Sequence, residues 1–192
     1  IELLKILKIK RAHFIGSSMG GAVATKLTYI QPEIVLSLIL IDSYGTIKTP
    51  SYIHNLVEET GHNPMLEINS RDDYKTMLSL AMVKPPFIPG FMLDVLVENM
   101  KEKLVLNKKI LKDSENDSDL SYILPKLKSP SLVIWGAEDN VLHVDNADVF
   151  SSELNYCRKV VIEKTGHVPM VEEPKITATH IAEFINKITC HC

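Results

Sequence analysis

The sequence predicts an α/β fold built on a parallel sheet, and three observations carry that prediction. Short apolar runs alternate with stretches of helical periodicity along the chain. One of these runs, VLSLILI at 35–41, shows no polar alternation, as expected of a strand buried on both faces of a parallel sheet. Gly16, Asp42 and Gly136 close three of the runs, marking loops at the strand ends where such sheets collect function.

The elements follow in order. Residues 1–8 carry Leu3, Leu4 and Leu7 at helical spacing and read as the end of an amphipathic helix. A short strand at 12–15 is bounded by Gly16, and a helix over 19–30 stops before Pro32. The strand at 35–41 is broken by Asp42, Ser43 and Gly45. From about 46 to 120 the texture changes. Pro50, Pro64, Pro85, Pro86 and Pro89 punctuate helical patterns such as 72–82 and 92–106, no buried strand is evident, and the polar DSENDSD at 113–119 closes the stretch. A simple crossover needs one helix, so 46–120 reads as a helical insertion. The core pattern resumes with strands at 131–135 (SLVIW) and 159–162 (KVVI) and helices at 145–154 and 176–188. The expected organisation is therefore core over 1–45, helical cap over 46–120 and core again over 121–192.

Composition narrows the function. The 192 residues are 45% hydrophobic and 23% charged, with 8 glycines and 10 prolines, which fits a globular domain and excludes collagen-like or disordered chains. A net charge of −3 without a basic cluster argues against nucleic-acid binding. No apolar run approaches the roughly 20 residues that span a bilayer. Cys157, Cys190 and Cys192 are odd in number and too clustered for a disulfide framework. Core packing and a surface tail account for them. Cys190, His191 and Cys192 lack the fourth ligand of a closed zinc site, so no metal is expected there.

The chemistry-bearing motif follows the first strand. Gly16-Ser17-Ser18-Met19-Gly20 is a G-x-S-x-G with Ser18 at its centre, set between a strand and a helix. A nucleophile on so sharp a turn needs small residues two before and two after it, a requirement that Gly16 and Gly20 meet. Ser18 also sits at the positive end of the helix dipole, where the N–H of Met19 can donate to a developing oxyanion. Ser17 is a small neighbour in the turn. A serine hydroxyl needs a base, and the base an orienting acid. Asp139, in the loop after SLVIW, and His167, in the loop after KVVI, supply candidates in the chain order Ser, Asp, His. Asp42, at the end of the preceding strand, is the rival acid, and the competing reading of Asp139 is a polar turn residue like Glu138 beside it. His13 falls within a strand and is expected to be packed, while His54, His62, His143, His180 and His191 lack a comparable strand-end setting.

The segments HFIGSSMGGAVA (13–24), LVIWGAEDNVL (132–142) and TGHVPMVEEP (165–174), with their W-G-x-x-D and G-H-x-P-x-x-E-x-P patterns, resemble α/β-hydrolases of the monoacylglycerol-lipase and bacterial lipase type. The resemblance implies the C-terminal part of that fold, with Ser18 as nucleophile, His167 as base, Asp139 as its acid and the Met19 N–H as one oxyanion donor. It further implies a helical lid over an acyl pocket at 46–120, a carboxylic-ester substrate and no cofactor. Met65, Met77, Met82, Met92 and Met100 lie in that stretch, as lid core or as a surface that repacks around acyl chains. Lipid-surface contact through the cap is a further expectation. Serine rather than aspartate at 18 separates the chain from dehalogenase and epoxide-hydrolase relatives.

In the family, about four strands and a helix come before the position of Ile1, including the loop that carries a second oxyanion donor. No H-G-x or G-G-G segment precedes Ser18. Loss of one such donor costs about 2.7–4 kcal/mol. The expectation is a C-terminal portion of a longer hydrolase, with low turnover by itself and an apolar edge at 12–15. Two other readings stay open: a non-catalytic remnant that binds a partner, or, within the fold, an amide, thioester or C–C hydrolase.

Overall fold

A computed structural model describes residues 1–46, 48–115 and 119–189. Four strands, β1 (Ala12–Ser17), β2 (Val35–Ile41), β3 (Ser131–Gly136) and β4 (Cys157–Ile162), form one sheet in that order, every pair parallel. This is the parallel sheet expected from the apolar runs. A short helix α1 (Glu2–Ile6) precedes it, exposed along its length, and α2 (Met19–Ile30) returns the chain from β1 to β2. Helix α6 (Asp145–Glu153) joins β3 to β4, and α7 (Pro169–Glu172) and α8 (Pro174–Thr189) follow β4.

Both faces of the central strands are covered, which explains their unbroken hydrophobicity. Leu38 and Leu40 of β2, with Val133 and Trp135 of β3, pack against Ala24 of α2 and Ala147 and Phe150 of α6. The alternate residues, Ile39, Ile41, Leu132 and Ile134, pack on the other face with Phe184 of α8. The Trp135 ring meets Phe150 at 6.1 Å between centroids, and its indole N–H donates to the Leu142 carbonyl at 3.0 Å. At the edge of the sheet β1 pairs only with β2 among the described residues, and Ile15 stays half-exposed. β4, the opposite edge, begins two residues before the apolar KVVI run because Cys157 pairs with Ser131 in register.

Three α-helices and no strand lie between β2 and β3 among the described residues: α3 (Tyr52–Thr60), α4 (Arg71–Ala81) and α5 (Gly90–Glu115). Ser51 caps α3 by accepting from the His54 N–H, and Ser70 caps α4 by accepting from the Asp73 N–H. A forked Arg71–Asp94 pair, 2.5 Å in both arms, ties α4 to α5. Residues 116–118 of the polar segment lie outside the described residues, as does the Cys190-His191-Cys192 tail.

The β1–α2 junction corrects one sequence expectation. A Cβ at Gly16 would lie 2.2 Å from the Gly20 carbonyl oxygen, so strand and helix close up only over glycine there. At Gly20 an added Cβ meets nothing within 4 Å, whereas at Gly21 it would sit 2.1 Å from Ser43 Oγ. The second position that must stay small is Gly21, because that side of the helix faces the loop after β2. Gly20→Ala should be neutral or stabilise by up to about 1 kcal/mol, since alanine favours the helix. Gly16→Ala and Gly21→Ala should each cost about 1–3 kcal/mol in urea denaturation. Equal effects at the three positions would contradict this packing.

Candidate active site

The site is assembled at the carboxyl edge of the sheet, where Ser18, Asp42, Asp139 and His167 follow the four strands in turn. Ser18 adopts φ 51°, ψ −123°, a conformation that costs a non-glycine residue about 1–3 kcal/mol. Backbone hydrogen bonds hold it there. Its N–H donates to the Ile41 carbonyl at 3.0 Å, and its own carbonyl accepts from the Gly21 and Tyr44 N–H groups, both at 2.9 Å. Met19 opens α2, so its N–H has no acceptor within the helix and lies at the positive end of the dipole.

Asp139 and His167 are brought together. Nδ1 of His167 lies 2.8 Å from Oδ2 of Asp139, and both side chains are buried. The other oxygen of Asp139 accepts from the Val141 N–H at 2.7 Å and the Leu142 N–H at 3.0 Å. A carboxylate with those donors fixes the imidazole tautomer: the proton sits on Nδ1, leaving Nε2 as the basic nitrogen. Among the described residues no hydrogen bond joins Ser18 Oγ to His167, although both stand on the same edge. Glycine makes the approach of the two loops feasible, because a Cβ at Gly136 would fall 2.0 Å from the Gly166 carbonyl oxygen.

The His167 loop is also bonded to the end of α4 and the turn that follows it. The His167 N–H donates to the Ala81 carbonyl at 2.7 Å. Glu172 bridges the same two parts: Oε1 accepts from the Gly166 N–H at 2.7 Å, and Oε2 from the Val83 and Lys84 N–H groups at 2.7 and 2.8 Å. Sequence reasoning placed Glu172 inside a motif without giving it a task. Its two acceptor oxygens, one per loop, supply the task. The Ala81 contact uses a backbone carbonyl and leaves no trace in residue types.

Asp42, the rival acid, does not hydrogen-bond to the imidazole. Its Oδ1 accepts from the Gly136 N–H at 2.9 Å, and the side chain is fully buried. Every other described histidine is engaged elsewhere. His13 meets Ser37 at 2.8 Å, His54 meets Glu58 at 3.3 Å, His62 meets Glu67 at 2.6 Å, His143 accepts from the Asp145 N–H at 3.3 Å, and His180 meets Arg158 at 3.2 Å. His191 lies outside the described residues. Cys157 packs against the α2/α6 side of the core, and burial pushes its thiol up to about 11, the behaviour of a structural cysteine.

A cavity of about 480 Å³ opens beside the elbow. Ser18 and Met19 border it with Ile53 and Val57 of α3, Met65 and Leu66 of the following loop, Leu111 of α5, and Leu142 after β3. Of the methionines at 65, 77, 82, 92 and 100, Met65 alone is in its lining. The volume and apolar walls suit a small hydrophobic molecule.

Asp42, Asp139 and His167 have donor atoms within 4.8 Å of one another, close enough to raise the question of a cation. The 2.8 Å separation of His167 Nδ1 and Asp139 Oδ2 answers it, because two ligands of a tetrahedral zinc stand about 3.3 Å apart. The close pair fits a hydrogen bond, and its spacing does not fit tetrahedral zinc.

Glu172→Ala should lower stability by about 1–2 kcal/mol by leaving three N–H groups without their acceptor. It should also speed amide exchange at Val83, Lys84 and Gly166, with Glu172→Gln intermediate. Unchanged exchange at those three amides would contradict the bridge.

Comparison with known proteins places the fold. The chain is similar to Lipase 3 of Moraxella sp. (strain TA144), at 31% identity over 176 residues, covering 90% of this chain and 55% of the lipase. It is similar to human monoacylglycerol lipase ABHD6 at 30% identity, covering 98% of this chain and 58% of that enzyme. Among solved structures it superposes on a membrane phospholipase A, a bacterial virulence factor, with a TM-score of 0.91 and 32% identity, covering 97% of this chain and 60% of that one. The chain thus spans somewhat over half the length of these relatives. The model of the alpha/beta hydrolase family matches residues 1–180. With the parallel sheet and its strand-end loops in place, the chain belongs to the alpha/beta hydrolase family.

Proposed function

We propose that the protein is a serine hydrolase that cleaves carboxylic esters, of lipid or other hydrophobic monoester type, through an acyl-Ser18 intermediate. The observation that carries the reading is the buried His167–Asp139 hydrogen bond at 2.8 Å, on the same sheet edge as the strained Ser18. In this reading Nε2 of His167 takes the Ser18 hydroxyl proton as Oγ attacks the ester carbonyl. The imidazolium then gives that proton to the departing alcohol. Asp139 stabilises the imidazolium, and the Met19 N–H donates to the tetrahedral oxyanion. Water activated by His167 then releases the acid from Ser18, and no cofactor enters the cycle.

The substrate class rests on the apolar cavity at Ser18 and on the relatives, which are lipases and a phospholipase. Residues 46–120 serve as the cap, supplying the α3 and α5 walls of the cavity. Its outer surface supports contact with a lipid surface. Phe87 is 92% exposed and Phe91 72%, with Val95 one helical turn beyond Phe91 on α5, also exposed. Aromatic rings so placed gain most by leaving water for an interface.

Two experiments test these assignments. A fluorophosphonate probe should label the protein at Ser18, with labelling abolished in Ser18→Ala and strongly reduced in His167→Ala; persistent labelling of Ser18→Ala would refute the assignment. In sedimentation with phosphatidylcholine vesicles, Phe87→Ser/Phe91→Ser should bind at least about tenfold more weakly than wild type. Equal partitioning would remove the lipid-surface contact.

A further inference from the structure

Asp42 is a buried titratable group that the proposed mechanism does not use. It ends β2 at φ 44°, pinned by its N–H, which donates to the Ile134 carbonyl at 3.0 Å. Its side chain is shut off from solvent, Oδ1 accepts from Gly136, and Oδ2 is buried with no donor to accept from. An orphaned buried carboxylate oxygen is costly. The cost disappears if Oδ2 carries a proton and finds an acceptor. Asp139 offers that acceptor: one oxygen of each carboxyl and one nitrogen of His167 all lie within 4.8 Å of one another, and a side-chain hydrogen bond with Asp139 is among the causes that hold the proton on Asp42.

The backbone decides which of the two acids keeps the proton. Asp139 receives three donors, the Val141 and Leu142 N–H groups and His167 Nδ1, whereas Asp42 receives only the Gly136 N–H. Burial, and next the facing charge of Asp139, push the Asp42 carboxyl well above the usual carboxylate range, against the pull of the Gly136 N–H. Glu172 of α7 adds repulsion in the same direction. The ionisable groups facing Asp42 are thus Asp139, Glu172 and His167, and none is a permanent cation.

We propose that Asp42 is a neutral carboxylic acid that donates its proton as a hydrogen bond to Asp139, a positioning residue behind the Asp139–His167 pair. Two ionised carboxylates so close would repel each other in a site closed to solvent. A neutral Asp42 keeps a single negative charge in the buried pair and gives Asp139 a further donor. The proton location rests on the burial of Asp42 and the donors around it, while its bearing on reaction with Ser18 rests on the serine-hydrolase reading.

The test uses the full chain. Infrared spectroscopy at pH 7 should show a protonated-carboxylic-acid C=O band that disappears in Asp42→Asn. Absence of that band in wild type, or its survival in Asp42→Asn, overturns the proposal. In fluorophosphonate labelling, Asp42→Ala should react about tenfold more slowly, with the acid limb of its pH profile moved up because Asp139 has lost a donor. Asp42→Asn places an amide N–H where the acid proton was and should restore both rate and limb. An acid limb moved equally by Asn and Ala would show that charge, and not a donor, is what Asp42 supplies, and would overturn the proposal. Should wild type not label at all, the serine-hydrolase reading fails, and the infrared band still decides where the proton is.

Discussion

Parallel pairing is the constraint on which the rest of this structure depends. With all four strands running the same way, their carboxyl ends share one edge, and Ser18, Asp42, Asp139 and His167 stand along it despite lying as far apart in the chain as positions 18 and 167. A parallel sheet needs helices on both faces. Here α2 and α6 cover one side of β2 and β3 while α8 covers the other. The centre is therefore rigid, and the loops that leave it inherit fixed starting points. Three of the four non-glycine residues with positive φ among the described residues, Ser18, Asp42 and Lys164, fall at or beside these loop starts. Backbone strain is concentrated where the chain turns out of the sheet, and the packed strands beneath absorb its cost.

Much of this arrangement could be read from residue patterns, for definite reasons. The run from 35 to 41 is apolar throughout because Leu38 and Leu40 face one layer and Ile39 and Ile41 the other. The strand at 157–162 was legible only from Lys159 onward, because Arg158 lies exposed on a sheet edge where burial imposes no pattern. The helix at 52–60 was not resolved individually between Pro50 and Pro64, although its Ser51 cap is an ordinary start signal. At the elbow, spacing alone pointed to Gly20, but the steric requirement falls on Gly21, a matter of which side of the first helical turn meets Ser43. Of the candidate site, Asp139 and His167 were legible as strand-end residues and do meet. The bonds to Ala81, Val83 and Lys84 were not, since each ends on a backbone group across some 85 to 90 intervening positions.

The electrostatics of the site follow from an uneven distribution of backbone donors. The turn after β3 aims two N–H groups at Asp139, while only one N–H reaches Asp42. Two carboxyls of the same chemistry, both buried, are made unequal by the path of the main chain. Neither a motif nor a residue count conveys that inequality. It appears only when each oxygen is matched to its donor.

The bond from the His167 N–H to the Ala81 carbonyl, with the Glu172 bridge beside it, has a consequence for how such molecules diversify. A stretch of helices between two strands looks like an exchangeable module, free to be lengthened, shortened or replaced as new substrates are met. Here the junction at 81–84 supplies one carbonyl and two N–H groups to the loop that holds the histidine, so a replacement helix pair inherits an obligation to present the same three groups in the same places. Variation is cheap along α5 and at its outer surface and costly at the four residues after Leu80, where one exchange would be felt by both halves of the molecule.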